Sequence, residues 1–357
     1  MKSNNKFFIP QSIKIFGNFT NLTQGKILTV LLNTGFYLSL EEEKKKDCIT
    51  FSHDKPGEDI HIHITDLQKR NSSWASPILK VFKAFIYKGW NPTGMTFRFT
   101  DTVNKPFTED IEIAQKLLTT LALNYLSNIS LSKIDLLQIA IVEKDSKINF
   151  DNYLYGFTSL FGKSREIMLI DSHNFEYKTY PSEFKDVTFV TIRPEREIII
   201  TDDFYKERLS ELETIKTTIN NYFEVPYLGA LQGEDHEWLD KVLEEENLKN
   251  RLRHIVNENT RVELAANLIK DKQWDKLGNL MNDAYDSAVL DFEINLPEIE
   301  FIIDIVKSQP TVLGFDLIIT GKKGEIIALL KKSDIKNFKK AMKDELKDKI
   351  SVDISEF

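Results

Sequence analysis

Cysteine is almost absent: Cys48 is the only one in 357 residues. That excludes an intramolecular disulfide framework and any zinc or iron–sulfur centre built on several thiolates. Excess positive charge is also lacking. Forty-seven Lys and Arg stand against 55 Asp and Glu, for a formal net charge of −8, so the overall electrostatic footprint of a nucleic-acid binder is missing. Long apolar runs are absent too. Stretches such as Ile27–Leu32 are strand-sized, far short of the roughly 20 residues a membrane span needs. The charged start Met1–Lys6 leads into Pro10, Gln11, Ser12 and Lys14, not into the apolar region of a signal peptide. The expectation is a cytoplasmic protein with no nucleic-acid and no membrane partner. Finally, no Gly/Ser-rich stretch opens a helical pattern; the nearest approaches are Ser72-Ser73 and Ser130-x-Ser132.

What is present is enough to build a core. Hydrophobic residues make up 41% and aromatics 11%, and the length suits two domains. Ile27–Leu40, Asp47–Phe51 and Glu58–Asp66 read as strands, the last through its alternating Ile60-His-Ile62-His-Ile64. Pro77–Lys88 is apolar at helical spacing, and Met95–Thr102 alternates again. Thr108-Glu-Asp-Ile-Glu112 opens a helix to about Ser127, with Thr108 as a good N-cap and acids suited to the positive end of the dipole. A second helix precedes the strand Glu166–Asp171, Pro181 marks a seam, and Val187–Ile192 starts a new strand. Charged amphipathic helices dominate from Asp203 to Ile305, the longest around Lys249–Lys270. Ile299–Val306 reads as a helix, followed by a hairpin of Leu317–Ile319 and Ile326–Leu330 and a basic helix over Ser333–Lys349. A strand-rich first half and a helix-rich second half with late strands give the class α+β.

Taken alone, the chemistry-bearing clusters read plainly. His61 and His63 share a strand face without a third metal ligand, so no metal site is expected. Asp171-Ser172-His173 holds triad residue types, yet adjacent residues rarely face one another, and a strand-end turn is the expectation. Gly321 and Gly324 flank two lysines in what reads as a hairpin turn.

Several segments then resemble galactokinases, of the GHMP kinase superfamily. They are Arg253-His-Ile-Val-Asn-Glu258 with Arg261-Val, Trp274-Asp-Lys-Leu-Gly-Asn-Leu-Met281, and Asp291-Phe-Glu-Ile-Asn-Leu-Pro-Glu298. Gly17-Asn-Phe-Thr-Asn-Leu-Thr-Gln-Gly25 falls where those enzymes carry Gly-Glu-His-Thr-Asp-Tyr-Asn-Gly-Gly. Phe157-Thr-Ser-Leu-Phe-Gly162, Leu169-Ile-Asp171 and Tyr205 with Glu207-Arg208 follow in the family's order, so the resemblance covers nearly the whole chain. It implies a two-lobe fold, with a ribosomal-S5-like N-terminal lobe, a ferredoxin-like C-terminal lobe and an interdomain cleft, divided as 1–182 and 183–357. It also implies an ATP- and Mg²⁺-dependent phosphoryl transfer to galactose.

The departures from the family pattern bear on that activity. The sugar-loop Glu, His and Asp align with Asn18, Phe19 and Asn21, the catalytic Arg with Ser12, and the catalytic Asp with Tyr155. A phenol of pKa about 10 replaces that carboxylate poorly as a base. The Gly-Leu-Ser-Ser-Ser phosphate loop is replaced by a stretch carrying Thr108, Glu109, Asp110 and Glu112, whose charges repel a triphosphate. The Gly-rich third motif is reduced to Ile319-Thr-Gly321-Lys-Lys-Gly324. The expectation is a galactokinase homologue that has lost catalysis, with ATP and Mg²⁺ weak or absent, and a sugar held by Asn18, Asn21, Tyr155 and Tyr205. Two alternatives stand beside it: an active sugar kinase using another base such as Asp151, and a regulatory scaffold for a protein partner.

Overall fold

The computed structural model describes residues 5–356 apart from 43–44, 55–56, 70–72, 104–107, 142–149, 183, 195–196, 234–235, 295, 321 and 347–351. In chain order the elements are β1 (Lys6–Phe16), β2 (Lys26–Glu42), β3 (Cys48–His53), β4 (Ile60–His63), α1 (Ser76–Tyr87), β5 (Met95–Asp101), α2 (Thr108–Ser127), α3 (Lys133–Ile141) and α4 (Phe150–Phe161). There follow β6 (Glu166–Asp171), β7 (Tyr177–Pro181), β8 (Val187–Pro194), β9 (Ile198–Ile199), α5 (Asp202–Asn220), α6 (His236–Val242), α7 (Glu246–Lys270) and α8 (Trp274–Leu290). The chain closes with α9 (Pro297–Ser308), β10 (Val312–Thr320), β11 (Lys323–Lys331), α10 (Ile335–Leu346) and β12 (Val352–Glu356). The mixed α and β content expected from the sequence is present. The chain separates into two compact units, one of residues 1–12 and 31–165, the other of 13–30 and 166–357. This partition differs from a single cut at 182/183, because residues 13–30 pack with the later part of the chain.

In the first unit, β3 pairs antiparallel with β4 and parallel with β5, and β5 pairs antiparallel with the second half of β2. The alternation read in Met95–Thr102 puts Phe97 on the core side, where Phe51 of β3 and Phe82 of α1 meet it at 5.7 and 5.1 Å between ring centroids. All three rings are buried, and each is worth about 1.5–3 kcal/mol relative to exposure. Helix α2 is buried around most of its circumference, through Ile113, Ala114, Leu117, Leu118, Ala122 and Leu123 together with Thr119 and Thr120. It stops where Asn128 turns left-handed at φ 55°.

In the second unit, β10, β11, β8 and β12 form an antiparallel sheet in that order, with β9 beside β11. Strand β8 is buried from Val187 to Ile192 on both faces, as a central strand should be. Helix α8 lies close on β10: a methyl group on Gly278 would come within 2.1 Å of the Leu313 carbonyl oxygen, so glycine is required there. The basic C-terminal helix is described over Ile335–Leu346, the rest of its expected span, 347–349, lies outside the described residues, and β12 covers Val352–Glu356. The charged stretch Glu234–Glu246 is not one helix: α6 ends at Val242 and α7 begins at Glu246.

Candidate functional site

The loop Gly17–Gly25 lies in the second unit, where α7 takes much of its backbone and β10 takes the Asn18 amide. The periodicity of α7 places His254 and Glu258 one turn apart on the same buried stripe. Glu258 Oε1 accepts the backbone N–H of Gly17 at 2.8 Å and of Asn18 at 3.3 Å, while Oε2 takes Arg261 at 3.0 Å. His254 bridges the Asn18 carbonyl (3.3 Å) and the Ser287 hydroxyl (3.0 Å). Its burial is the main reason that its pKa falls to about 4, so the ring is neutral at pH 7. Asn259 Oδ1 accepts the Lys26 N–H at 2.8 Å and closes the loop's far end. The motif residues shared with the resemblance therefore serve the loop's backbone.

The altered loop residues point inward. Asn18 is buried and its amide is fully engaged: it donates to the Leu317 carbonyl at 2.6 Å and accepts from the Ile319 N–H at 3.0 Å. Phe19 has φ 63°, and its ring stacks on Phe292 at 4.6 Å, with Tyr205 and Phe204 at 6.1 and 6.0 Å. The loop thus carries an apolar plug into the unit's core. Asn21 is half-buried in a short 3₁₀ turn, Thr20–Thr23. Beneath the loop sits Asp316, fully buried. Burial first, and the charge of Glu258 second, push its carboxyl well above the usual range.

Other matched segments also do structural work in this unit. Arg208 donates to the Phe292 carbonyl (3.0 Å) and to Glu211 (2.7 Å), and Arg251 donates to Glu211 (3.0 Å) and to the Asp291 carbonyl (2.6 Å). Asp171-Ser172-His173 forms the expected strand-end turn, with the His173 N–H on Asp171 Oδ1 at 2.9 Å. Gly324 is buried in the β10–β11 hairpin opposite Ile319, while Gly321 lies outside the described residues.

In the first unit, α4 carries Tyr155 into the core. Its phenol and the Ser159 hydroxyl one turn on are both buried, and neither makes a hydrogen bond. Burial chiefly, then the nearby Asp110 carboxylate, pushes the phenol well above its ordinary value. Ser12 bonds Thr158 through their hydroxyls at 2.8 Å. Asp151 stands in the first turn of α4, one turn before Tyr155. At the start of α2, Glu109 is exposed, Asp110 half-buried, and Glu112 pairs with the buried Lys116 at 3.0 Å. Thr108 begins the helix, and its side chain lies outside what is described.

Beside that helix start is a cavity of about 520 Å³, entirely within the first unit. Phe36, Tyr37, Phe99, Trp74 and His53 form much of its wall, and Ile111 and Glu112 of α2 close one side. Trp74 Nε1 and His53 Nδ1 are buried with no hydrogen-bond partner among the described residues, their rings 5.0 Å apart. The sequence reading passed over this cavity. Its one linear signal is Trp74 before α1, and the other walls come from distant strands. His61 and His63 bond Thr50 and Thr65 instead of a metal, and no cluster of three metal-ligand residues occurs among the described residues.

This fold is that of the GHMP kinases. The galactokinase of Lactococcus lactis complexed with galactose superimposes with a TM-score of 0.80 at 20% identity, covering 99% of this chain and 93% of that one. The mevalonate kinase of Methanococcus jannaschii gives 0.69 at 14% identity, covering 100% and 98%. In sequence, homology to galactokinases runs along nearly the whole chain. The Lactobacillus helveticus enzyme is 22% identical over 359 aligned residues, 99% of this chain and 92% of the relative. One from Thermotoga neapolitana is 24% identical, covering 97% and 95%. No family model matches the chain. No described helix is long and apolar enough to cross a membrane.

Proposed function

We propose that this galactokinase homologue binds a small molecule without phosphorylating a sugar. Tyr155 carries the reading. Where the resemblance sets a catalytic carboxylate, a buried phenol holds its proton more tightly than an ordinary tyrosine, so it is neutral at physiological pH and cannot act as a base. At the position of the family's arginine, Ser12 spends its hydroxyl on Thr158. In the sugar loop, Asn18 and Phe19 are turned into the second unit's core, which leaves Asn21 and Tyr205 as the half-buried candidates for a sugar hydroxyl. Galactose in the Lactococcus neighbour supports a sugar as one ligand.

The cavity around Trp74 and His53 supports a flat heteroaromatic ligand, because much of its wall is aromatic. Mg-ATP fits the described residues poorly: Glu109, Asp110 and Glu112 crowd the helix start where its phosphates would lie. A nucleoside without phosphates fits better. The test is a thermal-shift titration with adenosine, Mg-ATP and galactose. A ligand at 100 times its Kd stabilises by about 2.7 kcal/mol. The reading expects a shift with adenosine, lost in Trp74→Ala, and a smaller one with Mg-ATP. Sugar-dependent ADP release that disappears in Asp151→Ala would overturn it.

A further inference from the structure

The second unit holds a cavity of about 740 Å³ with a strongly basic lining, in a chain whose overall charge is −8. Among the described residues, Lys185, Lys272, Lys276, Lys331 and Lys332 line it, with two carboxylates, Asp186 and Asp275. The fold assembles this lining from three places. The Gly278–Gly314 contact brings the start of α8 against the edge of the β10 end of the sheet. Lys331 pairs with Val187 across β11 and β8, and the Lys332 N–H donates to the Asp186 carbonyl at 2.9 Å. Trp274, at the first position of α8, stands half-buried in the wall. The residue before it, Gln273, also lines the cavity and makes no side-chain cap to the helix.

Five lysines against two carboxylates leave the described concave wall net positive, and concavity concentrates that field. We infer that this cavity is a binding site for a small polyanion, a molecule carrying two or more phosphate or carboxylate groups. The site is independent of the Trp74 cavity and of any phosphoryl transfer. The ligand's anionic groups meet the lysine ammonium groups as charge-assisted hydrogen bonds, and Trp274 reports occupancy by its fluorescence.

The experiment is a fluorescence titration of the full chain with inorganic pyrophosphate, with inorganic phosphate and with sodium chloride at matched ionic strength. The inference expects a saturable change with pyrophosphate, weaker with phosphate and absent with chloride. Trp274→Phe removes the signal but keeps the pyrophosphate-induced thermal shift. Lys272→Glu combined with Lys332→Glu weakens binding by about tenfold or more, and Lys276→Gln weakens it less. Trp74→Ala leaves the titration unchanged, which separates this site from the other cavity. No saturable response to pyrophosphate, or equal affinity in the charge-reversed variant with an unaltered melting temperature, would overturn it.

Discussion

At Phe19 the backbone turns left-handed, a conformation bulky residues rarely adopt, so burial of the ring against Phe292 has to offset strain. Phe19→Ala is expected to cost about 3–5 kcal/mol in denaturant unfolding; a loss below about 1 kcal/mol would mean that the ring is not anchoring the loop. His254 makes a pH prediction with a definite sign. Its folded pKa of about 4 lies below the ordinary 6.5, so below pH 6.5 the unfolded chain takes up a proton that the fold refuses. The stability it contributes is complete above about pH 6.5 and is lost as pH falls towards 4, by roughly 3 kcal/mol. Asp316 acts oppositely: its raised pKa means that the fold binds a proton the unfolded chain has released, so acid stabilises through that window. Comparing wild type with His254→Gln at pH 7 and pH 4.5 isolates the histidine. The variant should show a flatter acid loss, and an unchanged slope would contradict the assignment. At this scale the sequence was half legible. The loop Gly17–Gly25 could be singled out from the sequence, but not that Asn18 and Phe19 turn inward, because that depends on Leu317, Ile319 and Phe292 far along the chain.

Among the elements, α7 and α8 do most of the holding. α7 clamps the loop through Glu258, His254 and Asn259, and α8 seats on β10 through a backbone contact that only glycine allows. Gly278→Ala should cost about 3 kcal/mol in unfolding free energy, since the added methyl meets a carbonyl and no flexible side chain can move aside. A variant as stable as wild type would show that α8 can slide. Periodicity made the long elements legible: α2 spans Thr108–Ser127 as expected, and β5 alternates as read. β1 and β12 were not legible, since Pro10 and Gln11 break up β1's apolar pattern, and β12 follows a lysine-rich helix. Nor were the cavity walls, for a cavity is a property of several elements at once: Phe36, His53, Trp74, Phe99 and Glu112 share no local pattern.

For the whole molecule, homology and fold point to sugar kinases, and the proposal that the chain does not phosphorylate a sugar rests on positions such as Tyr155. Arg208, Arg251, His254, Glu258 and Arg261 hold backbone and core together. The aligned catalytic positions, Ser12 and Tyr155, are buried or bonded elsewhere. On the proposed reading, ligand binding is the function that the two cavities can serve. The most direct measurement is ADP formation from Mg-ATP with and without galactose at high enzyme concentration. The account predicts no galactose-dependent rate above the sugar-free background. A rate that saturates with galactose would contradict it.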